Sequence, residues 1–332
     1  MSEQKRRSSL FVSIALLIIV LVATTWAVLN RQYIFDQVRV SQYTPSSEIT
    51  ALKDRLSLTD RGTFLFEASH PVLQSANDFN NSCEQHQETN SPIIGCYTLN
   101  SIYIYNVTTI ELQGIEETTA AHELLHAVYQ RLSPNERTAI DTELQSAYAR
   151  VKTPELEKRM KYYAENEPGH ESDELHSILG TENIDLGVTL EEHYDDIFTS
   201  RKKIIAYHDA YSATFDRITA QMKDLEIKIN NEVASLNQRI NTYNSKMDTL
   251  NKDTDTFNQR AQVQGAFSSQ AAFNAERDVL TGRKQILDSE YASIQASIAA
   301  VDSWRQSYNA MVDKYNQLSR SINSSLKPTP SL

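Results

Sequence analysis

The feature that most constrains the fold is a heptad-like pattern of apolar residues in the C-terminal part of the chain. Apolar or small side chains recur over residues 211–257 and again over residues 280–322, mostly in alternating steps of three and four. This spacing is typical of helices that pack along a coiled-coil seam. Each of the two runs therefore predicts one long α-helix.

Residues 264–269 (QGAFSS) interrupt the pattern and can form a turn. Two consecutive helices of similar length with facing seams are most simply an antiparallel hairpin, which we place at residues 201–326. An inter-chain coiled coil is the alternative. Leu225, Ile229 and Val233 are separated by two steps of four, a stutter that locally unwinds a left-handed supercoil. Residues 327–332 are predicted to be a disordered tail.

Charge and composition describe the rest of the chain. Residues 31–200 hold 28 acidic and 12 basic side chains, whereas residues 201–332 hold 14 and 17. The net charge of −11 argues against a nucleic-acid-binding protein, which needs a basic face. The low glycine and proline content, 8 of each, disfavours a turn-rich all-β fold. We therefore predict a mainly α fold with a small β component, in which an acidic α+β domain precedes the hairpin.

The N-terminal part contains an uncharged apolar segment at residues 10–29 (LFVSIALLIIVLVATTWAVL). As a helix it would be about 30 Å long, the thickness of the hydrocarbon core of a bilayer. Three basic residues at positions 5–7 precede it, so the positive-inside rule places residues 1–9 in the cytoplasm and the rest of the chain outside it. We predict a single-pass anchor in the cell membrane. A cleaved signal peptide is the alternative, although residues 25–27 (TWA) make a poor cleavage site.

The two cysteines, Cys83 and Cys96, would then lie in a compartment that permits disulfides, so we predict that they pair. The crosslink would close a short polar loop and stabilise the fold by about 3 kcal/mol in the chain-entropy model. Free thiols, or a metal site shared with His86, are the alternatives.

Local sequence signals assign most of the α+β domain to helices. Ser133 and Glu136 form a capping box with Pro134 at the first helical position, so a helix should run from there to about Val151. Further helices are predicted at 47–58, at 154–164, and at 171–179 with an end at Gly180. Strands are predicted at 62–66 (GTFLF) and within 96–107, where Tyr and Ile alternate with polar residues.

The clearest chemistry belongs to His122, Glu123 and His126, in the sequence TAAHELLHAV. On a helix the two histidines are one turn apart and project from the same face, so both imidazoles can reach one metal ion. Glu123 is placed to take a proton from a metal-activated water and to pass it to a leaving amine. Zinc fits this site, because imidazole is a favoured zinc ligand and the ion lowers the pKa of water.

This stretch resembles the active-site helix of the HExxH zinc metallopeptidases, the zincins. The resemblance implies a zincin-like domain at residues 31–200, one bound Zn2+ and a third protein ligand downstream. The metzincin branch has a glycine and a third histidine shortly after the motif, and residues 127–134 contain neither. Gluzincins use a glutamate from a following helix, which indicates Glu174 in the sequence DELHS. His176 and Glu171 are the alternative ligands.

Two further roles concern the substrate. A tetrahedral oxyanion needs a hydrogen-bond donor, and His176 is the first candidate because it lies two residues from the expected ligand. The other candidates are Tyr162, Tyr163, His170 and Tyr194. The strand at 101–105 directly precedes the motif helix and could be the edge strand that holds an extended peptide by strand addition. Ordinary sheet structure is the alternative.

Together these features predict a membrane-anchored zinc metallopeptidase that acts on a peptide or protein outside the cytoplasm. The hairpin could hold substrates, contact a cell-envelope component or bind a coiled-coil partner. The alternative is a membrane-anchored coiled-coil scaffold or interaction protein with a structural or inactive zinc site. Glu123 separates the two, because a structural zinc site needs no general base beside its ligands.

Overall fold

The computed structural model describes residues 2–83 and 93–323, with side chains from Leu16 onward. The fold is mainly helical with a small three-stranded sheet, as the composition predicts. The described residues form two compact units, one of residues 2–83, 93–214 and 318–323 and the other of residues 215–317. We call residues 31–83 and 93–214 the head. The domain limit predicted at residue 200 stays a prediction.

At the N-terminus, helix α1 (Ser2–Leu29) contains the predicted apolar segment. Helix α2 (Arg31–Gln42) follows after one residue and is bent by 73° relative to the part of α1 from Leu16 to Leu29. Where side chains are described, no single helix is both long and apolar enough to cross a membrane, but this bent pair together meets both criteria. The side chains of residues 10–15, at the start of the predicted span, lie outside the described part of the chain.

The remaining helices of the head follow in chain order and are α3 (Ser47–Leu56), α4 (Asp60–Ala68), α5 (Ala76–Ser82), α6 (Ile115–Gln130), α7 (Pro134–Val151), α8 (Pro154–Asn166), α9 (Glu171–Glu182), α10 (Val188–Asp195) and the start of α11 (Arg201–Ala261). The helices predicted at 47–58 and 154–164 are confirmed to within two residues at each end. The capping box of α7 is also confirmed. Ser133 Oγ accepts a hydrogen bond from Glu136 N, and Glu136 Oε2 accepts one from Ser133 N at 2.8 Å.

The strand predicted at residues 62–66 is wrong, because these residues lie in α4. Thr59 caps this helix: its hydroxyl accepts a hydrogen bond from Gly62 N at 2.9 Å. Leu65 and Phe66 are buried in the core of the head. The cap and this burial outweigh the β propensity of a short aromatic and β-branched run.

The predicted end of α9 at Gly180 is also wrong, since the helix continues to Glu182. A β-carbon at Gly180 would collide with the side chains of Leu125 and Tyr194. The glycine is therefore present because α6 and α9 pack closely at this point, not because the helix ends there.

The sheet consists of β1 (Val72–Gln74), β2 (Gly95–Thr98) and β3 (Ser101–Tyr105) in the order β1-β3-β2. β2 and β3 are antiparallel and lie in the predicted strand region, whereas β1 is parallel to β3. β3 is therefore the central strand, and the prediction that residues 101–105 form the edge strand is wrong. The three residues of β1 are too short a run to show a strand pattern, so the sequence does not reveal that they cover β3.

The predicted disulfide joins Cys83 and Cys96, whose Cα atoms are 6.0 Å apart. Both cysteines are buried together with Phe79 of α5. The disulfide therefore ties the end of α5 to the edge strand β2. His86, the predicted alternative partner of the cysteines in a metal site, lies outside the described residues.

Helix α6 is the centre of the head, and α3, α4, α9, β2 and β3 all pack against it. Its side chains Ala120, Ala121, Leu124 and Leu125 are fully buried. A helix covered on so many sides belongs to the core of a domain. The histidines of the motif are thus carried by the most firmly packed element of the head.

A buried ion pair joins α2 to the end of α6. Arg131, the residue that follows α6, donates hydrogen bonds to both carboxylate oxygens of Asp36 at 2.7 and 2.9 Å. Arg131 also donates to the Tyr97 hydroxyl of β2 at 3.0 Å. Asp36 is only 2% exposed. Loss of one partner would leave the other charge buried without compensation.

Most of the second unit is a helical hairpin, in which α11 pairs antiparallel with α12 (Gln270–Ser321) of the same chain. Lys246 pairs with Glu290, and Arg260, further along α11, pairs with Glu276, which is earlier in α12. The seam contains the predicted apolar residues Ile229, Val233, Leu236, Ile240, Tyr243, Ile294, Ile298 and Val301. The connection at residues 262–269 includes the predicted turn. The predicted tail at 327–332 lies outside the described residues.

The buried ion pair leads to the first prediction. Asp36→Asn should lower the free energy of opening of the head by about 3–5 kcal/mol, because the Arg131 guanidinium stays buried without its counter-charge. Hydrogen exchange of the α6 amides in the full chain, followed by mass spectrometry, measures this loss.

The matched control for Asp36→Asn is Asp196→Asn, which breaks the exposed pair of Arg61 and Asp196 (N to O 2.8 Å). Because solvent screens exposed charges, the control should cost less than about 1 kcal/mol. Equal losses in the two variants would contradict a specific role for the buried pair.

Candidate metal centre

Three side chains converge in the head: His122 and His126 of α6 and Glu174 of α9. One ligand atom from each lies within 4.8 Å of the other two. His122 Nε2 is 3.7 Å from Glu174 Oε2, and His126 Nε2 is 3.5 Å from Glu174 Oε1. Each imidazole thus faces one carboxylate oxygen, and the three groups could hold a metal ion between them. Glu174 is the predicted ligand that the structure brings to the histidines.

Asp173, the residue before Glu174, contacts the His126 ring at the nitrogen that does not face Glu174. His126 Nδ1 is 2.8 Å from Asp173 Oδ1. With Asp173 ionised, this contact places a proton on Nδ1 and directs Nε2 toward Glu174. Carboxylates in this position commonly orient metal-binding histidines and raise their basicity. Asp173 and Glu174, adjacent on α9, therefore contact opposite nitrogens of the same ring.

The charges of the group are strongly coupled. Burial alone would lower the pKa of His126, but the Glu174 carboxylate and the hydrogen bond to Asp173 outweigh it and raise the pKa to about 10. Burial alone would raise the pKa of Glu174, but the positive charge of His126 and the nearby His122 and Tyr163 side chains lower it to about 2. In the metal-free protein the group is thus held as an ion pair, with His126 protonated.

Glu123 lies beside this group and is 5% exposed. Burial raises the pKa of its carboxyl group above the usual range, although the charges of His126 and His122 oppose the rise. The carboxylate packs against β2, since a β-carbon at Gly95 would lie 2.5 Å from Glu123 Oε1. Only glycine at position 95 leaves room for the Glu123 side chain in this place.

The group opens into a cleft of about 970 Å3. One side of the cleft is formed by β2 and the residues before it, and the other by residues of α8, α9 and the start of α11. The side chains on this second side include Lys158, Arg159, Tyr162, Tyr163, Glu182, His208 and Tyr211. Arg159 and Glu182 form a bidentate ion pair there, with N to O distances of 2.8 and 2.9 Å. The cleft is large enough for an extended segment of several residues of a peptide.

The outer edge of β2 borders this cleft, and no other strand of the described residues pairs with it. Ile94 O accepts a hydrogen bond from Tyr105 N at 2.7 Å, so residue 94 points toward β3. The backbone N–H and C=O groups of neighbouring residues in a strand point in opposite directions within the sheet. Those of Cys96 therefore also point toward β3, whereas those of Gly95 and Tyr97 point to the outer edge of the sheet. Both Gly95 and Tyr97 line the cleft. An extended chain in the cleft could therefore pair with β2.

His176 does not lie in the cleft. It is fully buried, and its Nε2 atom is 2.8 Å from His193 Nε2, so one ring donates a hydrogen bond and the other accepts it. It packs between Tyr129 and Tyr194, and the Tyr194 hydroxyl donates to its backbone oxygen at 2.8 Å. His176 and Tyr194 thus pack in the core of the head and do not join the group of His122, His126 and Glu174.

The other predicted residues fall into two groups. Tyr162, Tyr163 and His170 line the cleft, and their predicted role as oxyanion donors stays a prediction. Glu171, the second alternative ligand, is not among the cleft residues; its carboxylate accepts a hydrogen bond from Gly169 N at 2.7 Å. Of the three predicted candidates for the third ligand, Glu174 alone joins the two histidines.

Sequence reasoning missed two residues that shape the site. In the sequence Asp173 is only the residue before the expected ligand. Its contact with His126 depends on how α9 packs against α6. Gly95 carries a weak signal, because a glycine next to a strand residue often marks a close approach of another group. Neither residue belongs to the HExxH pattern, and no local spacing connects them with it.

No protein-family model, curated protein or solved structure matches this chain. The geometry by itself therefore defines the class of site: a head in which two histidines and a glutamate could hold a metal ion next to a buried carboxylate.

The coupled charges give a prediction about pH. A metal ion needs the neutral His126 ring, whereas the metal-free ring keeps its proton up to a pH of about 10. Metal binding near neutral pH should therefore release about one proton, and the affinity for Zn2+ should rise by up to about tenfold per pH unit between roughly pH 6 and 9. Calorimetry of the full chain in buffers of different ionisation enthalpy measures the released proton.

The control for this pH dependence is Asp173→Asn, which keeps a hydrogen-bond acceptor but removes a negative charge that raises the pKa of His126. Fewer protons should be released in this variant at the same pH. An affinity that does not change with pH in the unmodified protein would show that His126 is not protonated in the metal-free site.

Proposed function

We propose that this protein is a membrane-anchored, zinc-dependent metallopeptidase of the zincin type, with its head outside the cytoplasm. The observation that carries the proposal is the convergence of His122, His126 and Glu174 in one cleft, with Glu123 beside them. The HExxH spacing on α6 and a glutamate on a later helix are the features that resemble the gluzincins.

The donor set fits zinc. Two histidines and one glutamate are a known ligand set of catalytic zinc sites, which keep a further position open for water or substrate. The cleft on the open side of the group supports such a position. Zn2+ bound there would act as a Lewis acid that lowers the pKa of water and polarises a peptide carbonyl. A purely structural site, in contrast, is closed by four protein ligands.

Glu123 would act as the general base. Its carboxylate is nearly buried, and its raised pKa allows it to take up a proton near neutral pH more readily than an exposed glutamate. It would accept a proton from the attacking water and donate it to the leaving amine of the peptide bond. Gly95 would act as a positioning residue, because a larger residue there would displace the carboxylate.

The substrate would bind as an extended strand along β2. The outward backbone groups of Gly95 and Tyr97 would pair with the peptide and direct its scissile bond toward Glu123. On the opposite side of the cleft, Tyr162, Tyr163 and His170 offer hydrogen-bond donors for the oxyanion. We assign that role to this side of the cleft and no longer to His176, since His176 is buried in the core.

The N-terminal anchor and the hairpin concern where the protein is located and what it contacts. The apolar residues 10–29, preceded by basic residues, support a single-pass anchor with a cytoplasmic N-terminus. The disulfide of Cys83 and Cys96 is consistent with an oxidising compartment outside the cytoplasm. The hairpin would contact a partner or a cell-envelope component. A scaffold with a structural metal ion is the competing function.

The proposal predicts that the zinc-loaded full chain in detergent hydrolyses an unfolded protein substrate such as reduced casein. Glu123→Gln should lower the rate by at least about 100-fold, because the general base is lost while the metal ligands remain. Mass spectrometry of the products measures the rate and gives the cleavage sites. Metal content, measured in parallel, should stay unchanged in the variant.

The matched control is Glu116→Gln, the same chemical change on the same helix. Glu116 accepts a hydrogen bond from Val107 N at 2.9 Å and does not line the cleft, so the control should keep full activity. Hydrolysis that survives in Glu123→Gln would indicate a contaminating protease. Bound zinc without hydrolysis in the unmodified protein would favour the scaffold with a structural metal ion.

A further inference from the structure

Helix α2 has an apolar side that is partly exposed in the described part of the chain; one contact there is the Arg39 guanidinium, 5.7 Å from the centre of the Phe35 ring. Ile34, Phe35 and Val38 are 36%, 43% and 48% exposed. At one hundred degrees per residue these three positions fall on one side of the helix, together with Arg31 at its start. Single exposed apolar residues are common, but a contiguous stripe on a helix indicates a binding surface.

Two residues of α2 hold it on the head by polar contacts: Asp36, which lies opposite the apolar side, and Arg39, which lies one turn after Phe35 beside that side. Asp36 forms the buried ion pair with Arg131. Arg39 donates hydrogen bonds to Ala68 O at 2.5 Å, to Asn100 O at 2.8 Å and to Ser101 Oγ at 3.0 Å. These contacts hold α2 in one orientation, so that the apolar stripe always faces away from the head.

Helix α1, which precedes α2 in the chain, is itself apolar. From Leu16 to Leu29 the large apolar side chains of α1 are more than half exposed on all sides of the helix, as expected for a helix surrounded by lipid. The 73° bend between the helices turns α2 close to the plane perpendicular to α1. If α1 crosses a bilayer, α2 therefore lies nearly parallel to the membrane surface, at the point where the chain leaves the lipid.

We propose that α2 is an interfacial helix that seats the head on the membrane, with Ile34, Phe35 and Val38 inserted among the lipids. The occupant of the stripe is thus the lipid surface. Arg31 would contact anionic headgroups at the same depth. This inference rests on the membrane anchoring proposed above and is independent of zinc and of peptidase activity.

The alternative geometry is a broken span in which α2 completes the crossing begun by α1. The contacts of α2 argue against it. A helix inside the hydrocarbon core would take Asp36, Arg39 and Arg131 with it, and the head bound to them could not remain in water. An interfacial position leaves the ionic side of α2 on the head and only its apolar side in lipid.

Depth-dependent fluorescence quenching tests the inference on the full chain in vesicles of phosphatidylcholine and phosphatidylglycerol. The reporter is Phe35→Trp in a background of Trp26→Phe and Trp304→Phe, and lipids brominated near the headgroup or near the bilayer midplane act as quenchers. We expect blue-shifted emission and stronger quenching by the shallow bromines, which corresponds to a depth of about 5–10 Å into the headgroup and acyl boundary.

Two controls separate this inference from the anchoring itself. Native Trp26, studied in Trp304→Phe, reports whether α1 inserts at all, and Val188→Trp reports an apolar position of the head, 74% exposed, that should stay in water. Quenching at Trp26 without quenching at position 35 would overturn this inference alone. Stronger quenching of position 35 by the deep bromines would overturn it in favour of a broken span. Absence of quenching at both positions would overturn the proposed membrane anchor and this inference together.

Discussion

The close packing of α9 against α6 is the contact on which the rest of the head depends. Gly180 lets Leu125 and Tyr194 approach α9, and the same surface brings Asp173 and Glu174 of α9 to the two histidines of α6. Burying these charges is costly unless they are paired. Here the pairing is mutual, since Glu174 faces both imidazoles and Asp173 holds His126 from the other side. In the absence of a metal ion, the proton on His126 pairs the ring with the two carboxylates. A bound metal ion would take the place of that proton.

The same helix also links the site to the N-terminal part of the chain. Arg131, at the end of α6, contacts Asp36 of α2 and Tyr97 of the edge strand. One guanidinium thus connects α2, the motif helix α6 and the strand β2 that borders the cleft. The helix that carries His122, Glu123 and His126 is therefore tied to the edge strand that borders the cleft.

Much of this could be predicted from the sequence where local rules decide the structure. The capping box at Ser133, the seam around Leu236 and the HExxH spacing each follow from the geometry of a single helix. The predictions failed where contacts distant in the chain decide. Residues 62–66 became helical through the Thr59 cap and burial, and β3 became central through pairing with a three-residue strand. His176, two residues from Glu174, is turned by the helical rotation of α9 away from the cleft and into the core.

Whether His122, His126 and Glu174 bind a metal ion can be measured as the metal content of the purified full chain by elemental mass spectrometry. The measurement would be made for the unmodified protein, for His126→Ala and Glu174→Ala, and for His170→Ala as a cleft-lining histidine outside the group. We expect about one zinc ion per chain in the unmodified protein and in His170→Ala, and its loss in the other two variants. Absence of zinc from the unmodified protein after incubation with zinc, or retention of zinc in His126→Ala, would show that these residues do not form the metal site.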